Sequence, residues 1–206
     1  DKENINKNIE NIFETISNLK PREFWKGLPY KVSLKKLEGT FDEKLEEISG
    51  SNAMDIAQNM INSTINDKVN TITGSLNIVS ENFELSNTNG LELVDKSTYI
   101  TGIINAESEF GNLPVSGIGH ASGRTLLNFS AEQIGRDAQN MCIKAINPQK
   151  IDSGMYSIIF EPYSVGELLA FVIAANFNFK TFSEKKSCFS NNFEEKIAID
   201  ELDLID

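Results

Sequence analysis

The sequence predicts an α+β fold: an antiparallel β-meander flanked by helices, plus the first strand and helix of a further β-rich domain. Apolar residues recur at helical spacing in the first twenty residues and again over residues 52–65 and 130–146. From Lys68 the apolar period shortens to two, which is typical of strands. Asn89-Gly90 separates two alternating segments and indicates a hairpin, because both residues tolerate a positive φ.

Composition excludes several classes of protein. A hydrophobic fraction of 40% and a charged fraction of 24% are typical of globular proteins. The net charge of −11 leaves no basic footprint for nucleic acid. The longest near-apolar run, Val165–Phe177, is too short to span a bilayer, and the polar amino terminus does not resemble a signal peptide. We therefore expect a cytoplasmic protein that contacts neither nucleic acid directly nor a membrane.

Four segments are predicted along the chain. Residues 1–29 form the end of a first domain, residues 30–49 a connection, residues 50–147 a middle α+β domain, and residues 148–206 the incomplete start of a C-terminal domain. The first segment is a helix that stops at Pro21, followed by a turn that includes Phe24 and Trp25; its apolar stripe comprises Ile5, Ile9, Ile12, Phe13, Ile16 and Leu19. The chain starts without Met and ends in an unpaired apolar alternation, so we expect a fragment of a longer polypeptide.

The middle domain is predicted to hold about four strands between two helices. The helix over residues 52–65 should bury Ile56, Met60, Ile61 and Ile65. Gly111–Arg124 is expected to be a glycine- and serine-rich loop. Ser130 caps the second helix, with Gln133 at the capping-box position, and this helix should bury Ile134, Ala138, Met141, Cys142 and Ala145.

The last sixty residues have a different pattern. The continuous apolar run Gly154–Phe160 predicts a strand buried on both faces. A helix should follow over Ser164–Asn176, and then a Phe- and Lys-rich loop over Phe177–Phe193.

Few side chains are candidates for chemistry. The glycine-rich stretch Gly117–Gly123 fits neither a dinucleotide-binding nor a phosphate-binding motif, which favours a surface loop. His120 is the only histidine; it could act as a general base or simply be an exposed loop residue. A single histidine also excludes any site with two His ligands built from this chain alone.

The two cysteines are too few for a disulfide framework. Cys142 falls on the apolar face of its helix and is predicted to be a core residue. Cys188 follows Lys185 and Lys186, whose charges would lower a thiol pKa, but a plain loop cysteine is the simpler interpretation. The carboxylates at the carboxy terminus lack calcium-loop spacing and are predicted to be a solvated tail; they are Glu194, Glu195, Asp200, Glu201, Asp203 and Asp206.

Several stretches, in order along the chain, resemble the TldD/PmbA family. Asn147–Val172 resembles the start of that family's C-terminal domain, where a strand with the pattern G-x-Y leads into a helix containing Leu-Leu. The segments around His120–Leu126 and Glu132–Ala138 resemble the end of the middle domain, and Leu85–Leu91 resembles its hairpin. Leu28-Pro29 matches the join to the first domain. The resemblance covers nearly the whole chain.

This resemblance implies a zinc-dependent peptidase system that is also described as a modulator of DNA gyrase. In the TldD type, H-E-x-x-x-H follows the Leu-Leu and a later Cys completes the zinc site; the PmbA or TldE type lacks these ligands and pairs with TldD. The equivalent positions here are Ala170, Phe171 and Ala175, which cannot hold zinc or activate water. We therefore expect no catalytic residue, no metal ligand and no cofactor, with binding residues unassigned.

The resemblance then implies a non-catalytic PmbA/TldE-like subunit of a metallopeptidase assembly acting on unfolded peptides. The partner would be a TldD-like subunit or a second copy of the chain in a homodimer. Two alternatives remain open: a self-sufficient TldD-like metallopeptidase, which would carry stoichiometric zinc, and a stand-alone non-enzymatic binding module, which would ignore a TldD-like partner.

Overall fold

A computed structural model describes residues 2–20, 26–35, 37–200 and 202. The chain divides into two compact units, one of residues 29–159 and the other of residues 1–28 together with 160–206. Parts of the sequence prediction lie outside the described residues: the helix stop at Pro21, the turn at Phe24 and Trp25, and the acidic residues Glu201, Asp203 and Asp206.

The unit of residues 29–159 contains a three-stranded antiparallel sheet. Its strands are β1 (Thr71–Ser86), β2 (Glu92–Ser108) and β3 (Val115–Gly123), in the order β1-β2-β3. The predicted fold class, an antiparallel sheet flanked by helices, is confirmed. The sheet has three strands instead of about four because the separate apolar stretches before the hairpin belong to one strand, β1.

Strand β3 lies within the segment that the sequence predicted to be a loop. Gly117 and Gly119 alternate on the face that packs against α4 (Ala131–Ala145), where a Cβ would overlap the backbone of that helix. The glycines therefore recur with the period of a strand and allow a close approach between helix and sheet. The loop prediction was wrong because a glycine-rich composition hides the usual strand signal.

The predicted hairpin is confirmed. Leu85 pairs with Leu93 and Ser86 with Glu92, and Gly90 has a φ of 78°. Asn87 organises the turn: its side-chain oxygen accepts hydrogen bonds from the backbone N–H groups of Asn89 and Leu91, at 2.9 and 3.2 Å.

The core of this unit lies between one face of the sheet and the helices α3 (Gly50–Asn62) and α4. Its buried members are Met60, Ile104, Ala106, Ile134, Ala138 and Cys142. Three residues predicted to be buried are exposed: Ile61, Ile65, which lies beyond the end of α3, and Met141.

The Ser130 cap of α4 is confirmed, but the full capping box is not. The Ser130 hydroxyl accepts a hydrogen bond from the Gln133 N–H at 3.2 Å. The Gln133 side chain does not return to Ser130; it donates to Asp137 at 2.7 Å, one turn further along the helix. The cap therefore depends on the serine alone.

The connecting segment is fixed to the sheet through Asp42 and Thr98. The buried Thr98 hydroxyl accepts from the Asp42 N–H and donates to the Arg124 carbonyl oxygen, both at 2.9 Å. The Asp42 carboxylate accepts from the Leu126 N–H at 2.9 Å and caps the one-turn helix α2 (Glu43–Glu46). Residues 40–46 thereby cover one face of the β1–β2 hairpin.

Helices dominate the other unit. It contains α1 (Lys2–Ser17), α5 (Pro162–Leu168), α6 (Ala174–Phe177) and α7 (Phe179–Ser183). The predicted helix over residues 164–176 is confirmed, beginning slightly earlier at Pro162. The predicted loop after it contains α7, which forms because the Asn178 side chain accepts from the N–H groups of Lys180 and Thr181. None of the helices in the described part of the chain is long and apolar enough to cross a membrane.

The strand predicted at Gly154–Phe160 is absent: this stretch has neither helix nor strand pairing among the described residues. Met155 and Ile159 are essentially fully exposed, and Tyr156, Ile158 and Phe160 are more than half exposed. The apolar run alone cannot form a strand, because a strand needs a hydrogen-bonded neighbour and none is supplied by the described residues.

Candidate functional site

The helix over residues 162–177 is interrupted in its middle by a π-turn. Leu169–Ile173 has π-helical geometry between α5 and α6, and the Ala174 N–H donates to the Leu169 carbonyl oxygen five residues earlier. Helical periodicity in the sequence did not reveal this turn, since a short amphipathic pattern does not resolve one inserted residue. Such turns inside α-helices are frequent at functional sites.

The π-turn overlaps the positions that the sequence resemblance predicts to be equivalent to the TldD-type ligands. In an unbroken α-helix, residues five apart point about 140° away from each other. A π-turn reduces that angle, so positions 170 and 175 lie nearer to one face of the helix.

These positions carry no groups that bind a metal. Ala170 and Ala175 are exposed, and Phe171 is 81% exposed. A methyl group or a phenyl ring offers no lone pair to zinc and no base for water. Across the described residues, no three His, Cys, Asp or Glu side chains converge where they could hold a metal ion.

The residues around this helix form a small aromatic and polar cluster. The Asn176 side chain accepts from the Cys188 N–H at 2.9 Å, and the Phe177 and Phe189 rings stack with centroids 5.1 Å apart. These contacts hold the segment after α7 against the end of the helix. Cys188 is exposed, consistent with a plain loop cysteine.

One hydrogen bond on α5 affects a titratable group. The Tyr163 hydroxyl donates to the Glu167 carboxylate at 3.1 Å. The pKa of Tyr163 is raised, first by desolvation and then by the hydrogen bond and negative charge of Glu167. Tyr163 therefore remains a neutral hydrogen-bond donor and is not poised as a base.

His120 lies on β3 and not in a loop as predicted. It is exposed and pairs with Ile103 of β2. Because Gly117 and Gly119 face α4 and side chains alternate along a strand, His120 points from the opposite sheet face, which we call the outer face.

Cys142 belongs to α4 and is buried in the core, as predicted. Burial, and secondarily the charge of Glu107, raises the pKa of its thiol. The structure therefore does not bring the imidazole of His120 and the thiol of Cys142 together. The remaining candidates, the acidic residues Glu194, Glu195 and Asp200, are exposed.

Comparison with known proteins supports the resemblance seen in the sequence. Residues 153–206 match the family model for the PmbA/TldA metallopeptidase C-terminal domain. No curated protein matches the chain.

Three solved structures share the fold. A proposed modulator of DNA gyrase from Bacteroides thetaiotaomicron has 20% identity and a TM-score of 0.79, covering 98% of this chain and 47% of that one. A proposed modulator of DNA gyrase from Thermotoga maritima has 22% identity and a TM-score of 0.60, covering 68% and 33%. TldE from Thermococcus kodakarensis has 15% identity and a TM-score of 0.66, covering 92% and 43%.

The chain thus spans between a third and a half of the length of these structures. At such identities the similarity establishes the fold and not the activity. The resemblance of this sequence to the TldD/PmbA family is confirmed: residues 153–206 match the family's C-terminal domain, and the chain has the fold of two proposed DNA gyrase modulators and of TldE.

Proposed function

We propose that this chain acts as a PmbA/TldE-like, non-catalytic subunit of a TldD/PmbA-type metallopeptidase assembly that handles unfolded peptides. The observation that carries the proposal is the set Ala170, Phe171 and Ala175. These residues lie inside the segment that matches a metallopeptidase C-terminal domain, on a helix with a π-turn at those positions. The π-turn supports the proposal because it brings positions 170 and 175 nearer to one face, and neither position carries a ligand.

A non-catalytic role requires that the zinc-binding and base functions come from another chain. Zinc needs three or more protein donors, and a peptidase also needs an open position for water. Since His120 is the only histidine of the chain, it cannot replace two histidines on this helix. A TldD-like partner that carries H-E-x-x-x-H would supply both.

The proposal is tested by mixing the chain with a TldD-type protein that carries H-E-x-x-x-H. We expect the two proteins to elute together and to hydrolyse an unfolded peptide, whereas the chain alone should be inactive. Peptidase activity of the chain alone would favour a self-sufficient metallopeptidase. Elution of two separate monomers would favour a stand-alone binding module and would contradict the proposal.

A variant that restores the ligands tests whether the helix lacks only the zinc-binding side chains. Ala170→His/Phe171→Glu/Ala175→His places the motif on exposed positions, where substitutions cost little stability. We expect this variant to retain more zinc than the wild-type chain. Equal zinc in the two proteins would show that the helix geometry does not suit the motif.

A further inference from the structure

We propose that the outer face of the β1–β2 hairpin binds a protein segment in which Lys or Arg residues flank apolar side chains. The relevant part of the hairpin, which we call the hairpin arm, comprises residues 79–86 and 92–99. It extends beyond β3, which pairs with β2 only over residues 100–108. This proposal is independent of the peptidase assembly.

The outer face of the hairpin arm carries apolar side chains at both of its ends, separated by the Glu81–Ser97 pair. Val79 lies directly opposite Tyr99, and Leu85 directly opposite Leu93, with Phe83 between the two pairs. Phe83 is 56% and Leu85 42% exposed. Exposed aromatic and aliphatic side chains grouped on one face are typical of protein-binding surfaces.

Residues 40–46 pack on the other face of the hairpin arm. Thr98 and Lys96 alternate with the outer-face residues and point toward residues 40–46. The Lys96 ammonium forms an ion pair with Glu46 at 3.2 Å and lies over the Phe41 ring. The apolar side chains of the outer face take no part in this contact with residues 40–46.

Charge identifies the partner. Glu81 lies between Val79 and Phe83 on the outer face, and Asp95 lies opposite Phe83. Neither carboxylate belongs to an ion pair found among the described residues. Glu81 accepts a hydrogen bond from the Ser97 hydroxyl at 3.4 Å, and Asp95 accepts one from the Lys96 N–H at 2.9 Å. No Lys or Arg occupies an outer-face position of either strand in the arm.

A face on which carboxylates alternate with apolar side chains is complemented by a segment on which cations alternate with apolar side chains. A second copy of this chain would bring the same carboxylates against Glu81 and Asp95, and like charges at an interface are unfavourable. The partner is therefore a different protein or a peptide segment, and it is cationic.

The test measures binding of labelled synthetic peptides to the full chain by fluorescence anisotropy. The probe is a short peptide of alternating Lys and Leu, and the comparison peptides have Ser or Glu in place of Lys. We expect the Lys peptide to bind most tightly and the Glu peptide least. Failure of the Lys peptide to bind more tightly than the Ser peptide would overturn the proposal.

Two variants locate the binding site. Phe83→Ser/Leu85→Ser removes exposed apolar groups and should weaken binding of the Lys peptide about tenfold. Glu81→Lys should also weaken it and shift the preference toward the Glu peptide. Circular dichroism and thermal unfolding verify that both variants remain folded.

Glu84→Lys is the matched control, because Glu84 lies on the same strand but on the opposite face. It changes the net charge by the same amount as Glu81→Lys and should leave binding nearly unchanged. Equal weakening by the two lysine variants would mean that the peptide responds only to the overall charge of −11, and the proposal would be wrong.

Discussion

Gly119 of β3 lies directly against the backbone of Ile134 in α4: a Cβ on Gly119 would overlap the Ile134 carbonyl oxygen. Two residues along the strand, a Cβ on Gly117 would overlap the Cys142 nitrogen, about two turns further along the same face of α4. The backbone of α4 therefore packs directly against the backbone of β3 at these two glycines. This contact explains the glycine-rich sequence without any bound nucleotide.

Gly119→Ala should destabilise the chain by about 1–3 kcal/mol or more, because the added methyl meets backbone that cannot rotate away. Gly50→Ala is the control, since no atom lies within 4 Å of the added Cβ at the start of α3. Urea unfolding of both variants measures the difference. A Gly119→Ala variant as stable as the Gly50→Ala variant would show that α4 does not sit this close to β3.

The sequence predicted best where a local signal agreed with the tertiary environment. The hairpin at Asn89-Gly90 and the Ser130 cap depend on backbone conformation and on hydrogen bonds between near neighbours, and both are confirmed. Cys142 was placed correctly in the core because the stripe of α4 faces the sheet.

The failures have a common physical origin in contacts that the local sequence does not encode. β3 was missed because glycine has no side chain to show alternation, although Gly117 and Gly119 are spaced as in a strand. The run Gly154–Phe160 was predicted to be a strand from its apolarity, but strand formation depends on a neighbour. The π-turn at Leu169–Ile173 changes the register of one helical turn, which composition does not show.

Gly90→Val should cost on the order of 1 kcal/mol or more, because Gly90 has a φ of 78° and a β-branched residue is strained there. Gly90→Asn should cost less, since asparagine tolerates the left-handed region. Chemical unfolding compares the two variants with the wild-type chain. Equal stabilities for the Val and Asn variants would contradict the turn conformation.

Cys142 should make the stability of the chain depend on pH in the alkaline range. Burial raises the pKa of this thiol in the folded state, so the folded chain keeps the proton to higher pH than the unfolded chain. The stability that this group contributes is complete below the unfolded thiol pKa of about 8.5 and is lost as the pH rises above it.

The free energy of unfolding, measured at several pH values from neutral to alkaline, checks this expectation. Cys142→Ala should show a shallower alkaline decline than the wild-type chain. Cys188→Ala should keep the wild-type decline, because Cys188 is exposed. An identical decline in all three proteins would contradict a buried, protonated thiol at Cys142.

The exposed run at residues 156–160 should be covered by a second chain. Ile158, Ile159 and Phe160 are each more than half exposed, and burying such side chains contributes about 1.5–3 kcal/mol apiece. We expect the wild-type chain to self-associate in sedimentation experiments and Ile159→Asp to weaken that association. Ile151→Asp is the control, because Ile151 is also exposed but precedes the run. A wild-type monomer would contradict the expectation.

The zinc content of the dialysed chain tests the central claim, a non-catalytic subunit, most directly. Elemental analysis of the wild-type protein should find no stoichiometric zinc, because positions 170, 171 and 175 carry Ala, Phe and Ala. The Ala170→His/Phe171→Glu/Ala175→His variant, prepared identically, should retain more. Stoichiometric zinc in the wild-type chain that is lost in His120→Ala or Cys188→Ala would contradict the account.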